Sequence, residues 1–396
     1  MQSDNGNNTT ASGKPMSPAP FLHAPETSRG IFVTIFVAAC VPLGAGVVFF
    51  GWRALLVTFL SVAGCVATES AYYRVTRTPS LMGRMHAAVT GLLLALTLPA
   101  SAPWYVPLTG AAFAIIVGKA IFGGVGHFLW QPAIVGRLAV TVIFAPPLFS
   151  ANLASPPTWP LLGPDRIVMG DAHSLKTPST YRQWRGTPAP PGADAFALPR
   201  PQRRLRELTL PTGRPPASIS STLRHMPPAW DLISGAHGGG IGETCAIAII
   251  IAGLYLIYRN YVRGHLPGMF ILAAAATAAI APIRTGDGTS WQWLPIVSEG
   301  LDVGFTYVAY HLLCGELLLA GFFLAGEMTS RPVTAPAQAV FGFLCGAGAI
   351  LLRMYLPIPI PAYAAVLICN TLTPLLDATI RPWALGKSRP RIAKIK

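Results

Sequence analysis

Seven apolar runs, each close to the ~20 residues that a helix needs to cross hydrocarbon, recur along this chain: Ile31–Trp52, Ala54–Tyr73, Pro103–Phe122, Ala133–Phe149, Leu266–Ile283, Ala335–Leu356 and Ala362–Ile380. No soluble core of this length accommodates so much apolar surface, because a core grows only as fast as its enclosing shell. Only 11% of the 396 residues are charged and 52% are hydrophobic, against about 25% charged in soluble domains. The pattern predicts an all-α integral membrane protein.

Three further runs are weaker or interrupted: His86–Leu98, Gly242–Tyr258 and Phe305–Leu324. The first two are too short to cross without tilt or a non-helical partner segment, and Gly91, Pro99 and Gly240 mark their ends. Interrupted helices persist in a bilayer only where protein or a water-filled cavity satisfies the freed backbone, so they point to the site. The two halves also echo each other. His86-Ala-Ala-Val-Thr-Gly-Leu-Leu-Leu-Ala-Leu resembles His311-Leu-Leu-Cys-Gly-Glu-Leu-Leu-Leu-Ala-Gly, and each precedes a small-residue helix, Gly110–Gly124 and Phe341–Gly348. The expected fold is about ten transmembrane helices in two inverted five-helix repeats, residues 31–149 and 241–381.

The net charge of +14 does not indicate nucleic acid, because the arginines flank apolar runs instead of forming a stripe. Arg74, Arg77, Arg84, Arg259, Arg263, Arg331 and the basic tail, residues 382–396, fall on one side when ten spans start from a cytoplasmic amino terminus. Both termini are then cytoplasmic. Residues 1–30, polar and without the apolar core of a signal peptide, read as a disordered cytoplasmic tail. The long segment 150–240 lies outside, and within it Pro188–Pro191 and Pro199–Arg206 read as disordered.

Each of the six cysteines (Cys40, Cys65, Cys245, Cys314, Cys345 and Cys369) stands alone in an apolar run, with no C-x-x-C pair. They read as small buried hydrophobes, with an iron–sulfur centre shared with another subunit as the one reservation. Ionisable groups inside spans are functional suspects: Glu243, Asp302, Glu316 and Lys119. Lys119, near a span end, reads as snorkelling to water, and Glu243 lies equally near an end. Asp302 and Glu316 flank the interrupted run beside His311 and are candidates to contact a translocated cation or a partner. His86 and His311, which recur in the repeat, read as hydrogen-bonded packing residues. The run Gly238-Gly-Gly-Ile-Gly-Glu-Thr244 enters a helix and offers N–H groups to an anion; a tight surface turn is the other reading.

Several stretches together carry a family resemblance: Thr90-Gly-Leu-Leu-Leu-Ala-Leu-Thr-Leu-Pro99, Gly118-Lys119 with Phe122-Gly-Gly-Val-Gly126, Pro132-Ala-Ile-Val-Gly136, Gly240-Ile-Gly-Glu-Thr244, Arg331-Pro-Val-Thr334 and Asn370-Thr-Leu-Thr-Pro-Leu-Leu-Asp377. In that order they resemble the RnfD/NqrB family, membrane components of the Rnf-type electron-transport complex and of the sodium-pumping NADH:quinone reductase. The resemblance implies a subunit of an ion-translocating (Na⁺ or H⁺) electron-transport complex in the bacterial cytoplasmic membrane, passing electrons through bound flavin. It implies FMN joined through its phosphate to Thr177, in a motif that falls on Asp171, Ser174, Thr177 and Pro178, and leaves room for a second, non-covalent flavin. Gly240, Gly242, Glu243 and Thr244 then belong to the wall of a flavin or ion pocket. The implied partners are other membrane subunits, an external flavoprotein subunit and the surrounding lipid. Enzyme status would belong to the assembly.

The chain departs from that pattern at several points. Leu175 and Lys176 replace the glycine and alanine before the attachment residue, Gln131 replaces an asparagine, and Gly326-Glu327-Met328 replaces Thr-Asp-Pro. A solute transporter of similar fold, or a redox-silent scaffold of the same complex, are the alternatives, and flavin on the loop separates them from the redox subunit.

Overall fold

The computed structural model describes residues 27–77, 85–144, 201–210, 218–224, 226, 229–235, 237–284 and 291–380, together with the backbone of two paired strands, β1 (Leu153–Ala154) and β2 (Phe196–Ala197). The described chain is almost wholly helical. Its helices form because the bilayer leaves a backbone no water to bond, so each apolar run must satisfy its own N–H and C=O groups.

Helix α1 (Ser28–Phe50) opens on Thr27, whose hydroxyl accepts from Gly30 N at 3.2 Å. Gly51 alone turns the chain into α2 (Trp52–Thr76). After α3 (Met85–Thr97) comes α4 (Tyr105–Ile116), continued by a 3₁₀ turn to Phe122. Gln131 caps α5 (Pro132–Ile143) by accepting from Ile134 N at 2.9 Å. Three short helices follow, α6 (Pro201–Arg206), α7 (Ile219–Arg224) and α8 (Ala229–Ser234). The second half holds α9 (Ala246–Tyr258), α10 (His265–Ile280), a hairpin of β3 (Ile283–Arg284) and β4 (Trp291–Gln292), and α11 (Pro295–Ser298). Then come α12 (Leu301–Leu313), α13 (Leu317–Leu324), α14 (Ala335–Tyr355) and α15 (Pro361–Thr379).

By length and composition, α1, α2, Tyr105–Phe122, α14 and α15 can cross a membrane, and α12 with α13, bent by 60°, is a broken span or a re-entrant loop. The chain is a multi-pass membrane protein. Four apolar helices are shorter: α3, α5, α9 and α10. Two of these were expected as full spans. The run from Ala133 closes at Ile143, where Phe144 N still reaches Val140 O at 2.8 Å, and residues 145–149 lie outside the described part. Helix α10 stops at Ile280 because Ala281 is extended and the chain turns into the hairpin.

The expected interruption is sharp. Gly315, at φ 71°, breaks Phe305–Leu324 into α12 and α13, a conformation that glycine adopts without the steric cost of a Cβ. The two shortest apolar runs end against each other. Ile241 N donates to Leu98 O at 2.9 Å and Gly242 N to Leu96 O at 2.8 Å. This approach requires glycine, since a Cβ at residue 242 would lie 2.7 Å from Leu96 Cβ. The segment that leads into α9 thus bonds carbonyls at the end of α3.

Within the first set α2 packs on α3 and α4, and α4 on α5; within the second α10 packs on α12 and α14, and α14 on α15. Gly342 and Gly346 let the α14 backbone meet α10 closely, as small residues do in membranes; a Cβ at Gly342 would lie 2.5 Å from Leu266 O. Val37, Phe59, Val142, Ile251 and Phe305 point outward, the faces available to lipid.

One expectation fails in the long segment between the two helical sets. Pro201–Arg206, read as disordered, is helical, with Leu205 and Leu208 fully buried. Its Arg206 guanidinium donates to Arg353 O and Ile358 O, where α14 ends. The carbonyls freed at that helix end are therefore bonded by the loop, and the apolar pair anchors it. Five of the cysteines are buried thiols and Cys40 is half-buried.

Candidate functional site

Two buried constellations of charge gather where the helices break. The first surrounds Glu243. Its Oε2 accepts from Gly240 N at 2.8 Å and its Oε1 from the Tyr363 hydroxyl of α15 at 2.6 Å. Glu316 and Arg137 also lie within electrostatic reach of Tyr363. Glu243, Tyr363, Glu316 and Arg137 are all buried. A carboxylate in such a place is tolerable only when its lone pairs are bonded.

The second part of this constellation repairs the break between α12 and α13. Arg353 of α14 donates to His311 O at 2.6 Å and Cys314 O at 3.3 Å. Its Nη2 stands 3.9 Å from Glu316 Oε1, and that oxygen accepts from Ala362 N at 3.1 Å, at the amino end of α15. One guanidinium thus bonds the carbonyls that Gly315 strands, while one carboxylate meets the positive end of a helix dipole. Both ring nitrogens of His311, beside the break, are buried without a hydrogen-bond partner among the described residues, as are both amide atoms of Asn370 on α15 and the Thr244 hydroxyl.

The second constellation surrounds His86. Lys119 Nζ is bonded to Glu69 Oε1 of α2 and lies 3.1 Å from His86 Nδ1 of α3. His86 Nε2 stands 3.9 Å from Glu327 Oε1, just after α13. That separation exceeds hydrogen-bond range. The edge of Phe32 at 5.0 Å and the ring of Phe128 at 5.5 Å hold the imidazole.

Of the residues singled out from sequence, Gly240, Gly242, Glu243 and Thr244 stand together in one buried segment. Asp171, Ser174 and Thr177 lie outside the described residues. The N–H of Gly240, offered on sequence grounds to an external anion, is taken by the protein's own Glu243 carboxylate. Two expectations are corrected: Lys119 does not snorkel and Glu243 does not reach water, since each is only 1% exposed. Each is bonded to an inward partner instead, Lys119 to Glu69 and Glu243 to Tyr363. Asp302 is exposed in the first turn of α12, far along the helix from the buried Glu316. Glu69, Arg137 and Arg353 went unmarked although each stands inside an expected span; the rule that flagged Lys119 flags them too.

The model of the NQR2, RnfD, RnfE family matches residues 15–386. The chain belongs to this family. Among relatives, an ion-translocating oxidoreductase complex subunit from Halorhodospira halophila is 29% identical over 373 residues, covering 93% of this chain and 95% of that one. The family member from Stutzerimonas stutzeri with the same description is 31% identical over 344 residues, covering 87% and 88%. The corresponding subunit of the Na(+)-translocating ferredoxin:NAD(+) oxidoreductase complex of Acetobacterium woodii is 29% identical over 366 residues, covering 91% and 92%. These family members match over nearly their whole lengths, so both constellations fall inside the shared region.

Proposed function

We propose that this chain is a membrane subunit of an ion-translocating electron-transport complex of the bacterial cytoplasmic membrane, passing electrons through bound flavin. The observation that carries the reading is end-to-end membership of a family whose relatives are named as subunits of such complexes. The buried ionisable groups at broken helices support it, since such groups in membranes mark ion paths.

In this reading residues 31–149 and 241–381 are two inverted five-helix sets, ten spans in all, with both termini cytoplasmic and the segment 150–240 outside. The matched packing of α2, α4 and α5 with α10, α14 and α15 supports the repeat. Partners are the other membrane subunits, an external flavoprotein subunit and lipid.

Thr177, preceded by Asp171 and Ser174, is the proposed attachment for the FMN phosphate, and FMN when bound supplies the electron chemistry. The segment Gly240–Thr244 does not suit a phosphate, because Glu243 already fills the Gly240 N–H and a second anion would be repelled. As part of a pocket wall it suits a cation or an uncharged ring, with the Glu243 carboxylate held in place by Tyr363. A second, non-covalent flavin would meet this face through its uncharged part.

Production of the chain with a flavin transferase, followed by in-gel fluorescence of the denatured protein, tests the reading. A fluorescent band in wild type, absent in Thr177→Val, is expected. Absence of covalent flavin in wild type would remove the Thr177 assignment, and a fully assembled complex with no flavin of any kind would leave a scaffold or transporter.

A further inference from the structure

The thiols of Cys345 and Cys369 take no part in the two constellations, yet they meet. Cys345 sits midway along α14 and Cys369 near the middle of α15, and the two side chains share a hydrogen bond. The seam between the helices accounts for the meeting. One turn along it, a Cβ at Gly348 would lie 3.4 Å from Ala365 Cβ, an ordinary van der Waals contact. Gly348 follows Cys345 by three residues and Ala365 precedes Cys369 by four, so each pair shares a helical face. The helices run antiparallel, with a sulfur from each at the same level.

A buried cysteine alone reads as a small hydrophobe. Two thiols in contact have chemistry that neither has singly: oxidation to a disulfide, or capture of a soft monovalent cation by two thiolates. The bilayer decides between them. Two thiolates around such an ion leave a net negative charge at mid-membrane, where charge is costly. A dithiol and a disulfide are both neutral. Closure of the bridge brings the sulfurs from hydrogen-bond contact to ~2.05 Å.

Access sets the oxidant. Cys345 is wholly buried while Cys369 is 6% exposed, and Leu344, Ile368 and Leu372 beside them point outward. The edge of the seam faces hydrocarbon, so the oxidant that reaches it is lipid-soluble.

We propose that Cys345 and Cys369 form an oxidisable dithiol, a modification site at which a lipid-soluble hydroperoxide converts the pair to a disulfide joining α14 to α15. The Cys369 sulfur attacks the terminal peroxide oxygen and the O–O bond breaks. The Cys369 thiol hydrogen leaves with the organic fragment as an alcohol, and the sulfur keeps the hydroxyl as a sulfenic acid. The Cys345 sulfur then attacks the Cys369 sulfur, the S–O bond breaks, and the hydroxyl leaves with the Cys345 hydrogen as water. Overall each sulfur gives up one electron and the peroxide takes both. No charge is left in the hydrocarbon. The bridge ties the helix that carries Arg353 to the helix that carries Tyr363, and so fixes two sides of the constellation around Glu243 and Glu316.

This inference does not depend on the flavin reading, and a colourless complex leaves it untouched. The test treats the purified complex in lipid nanodiscs with cumene hydroperoxide, blocks the remaining thiols with iodoacetamide after denaturation, and reads unreduced and reduced digests by mass spectrometry. In wild type, the peptide bearing Cys345 should appear joined to the one bearing Cys369, short of their sum by two hydrogens and released by dithiothreitol. Cys65, Cys245 and Cys314, equally buried, should stay alkylated. Cys345→Ala should leave a Cys369 sulfenic acid that dimedone captures, and Cys369→Ala should leave Cys345 a free thiol. Both thiols alkylated in treated wild type, an unresolved sulfenic acid at Cys369 there, or equal oxidation of the other buried cysteines overturns the site. Oxidation of Cys345 in Cys369→Ala overturns the order of attack. Should a variant not assemble, the wild-type digest decides alone.

Discussion

The hydroxyl of Tyr363, in the first turn of α15, donates to Glu243 Oε1 at 2.6 Å, and so ties the start of that helix to the glycine-rich entry of α9. The bond spans the two ends of the second helical set. Loss of it in Tyr363→Phe leaves a buried carboxylate one donor short, at a cost of about 1.5–3 kcal/mol for a hydrogen bond to a charged group. Thermal unfolding of the purified chain in detergent should show a lower midpoint. An unchanged midpoint means that Glu243 is held by other partners.

Lys119→Met strands Glu69 in a site that is almost water-free. Removing one partner of a buried pair costs roughly 3–5 kcal/mol, while removing both is often neutral. The double variant Glu69→Gln, Lys119→Met should therefore recover most of the stability that Lys119→Met loses. A double variant as unstable as the single one contradicts the pairing.

Gly242→Ala adds a Cβ 2.7 Å from Leu96 Cβ. Overpacking of this kind costs about 1–3 kcal/mol, and here it also pushes apart the two backbone bonds that join the short helices. Amide hydrogen exchange at Ile241 and residue 242 should rise in the variant before exchange elsewhere does.

Burial holds the His237 imidazole below the ordinary histidine range, against the bonds to Gly238 O at 3.2 Å and Thr244 O at 2.9 Å that favour its proton. The unfolded chain thus takes up this proton more readily than the folded one. Stability is full above about pH 6.5, the unfolded value, and declines as pH falls toward the lower folded value. His237→Gln should flatten this limb of the stability profile; an unaltered limb assigns it to other groups.

The membrane class and the sharpest irregularities were legible because they depend on composition and on single breakers. Gly315 ends α12 as its place in the apolar run suggests, and the short runs at His86 and Gly242 are short helices. What was hidden is pairing. The ammonium of Lys119 looks in sequence like a residue near a water-facing end, and only the fold brings Glu69 beside it from a position far earlier in the chain. Arg353 likewise reads as the last-turn cation of α14, whereas it serves carbonyls of a different helix. The helix at Pro201–Arg206 was missed because its proline- and arginine-rich text matches a flexible linker, while its stability comes from the end of α14.

The central claim is that these helices exist to hold a flavin in an ion-moving assembly. Mass spectrometry of the peptide bearing Thr177, from the complex isolated with its companions, reads it most directly, together with the visible spectrum of the same sample. A mass increment equal to FMN less water on that peptide, under a yellow flavin spectrum, is the predicted result. An unmodified peptide in a fully assembled, colourless complex contradicts it.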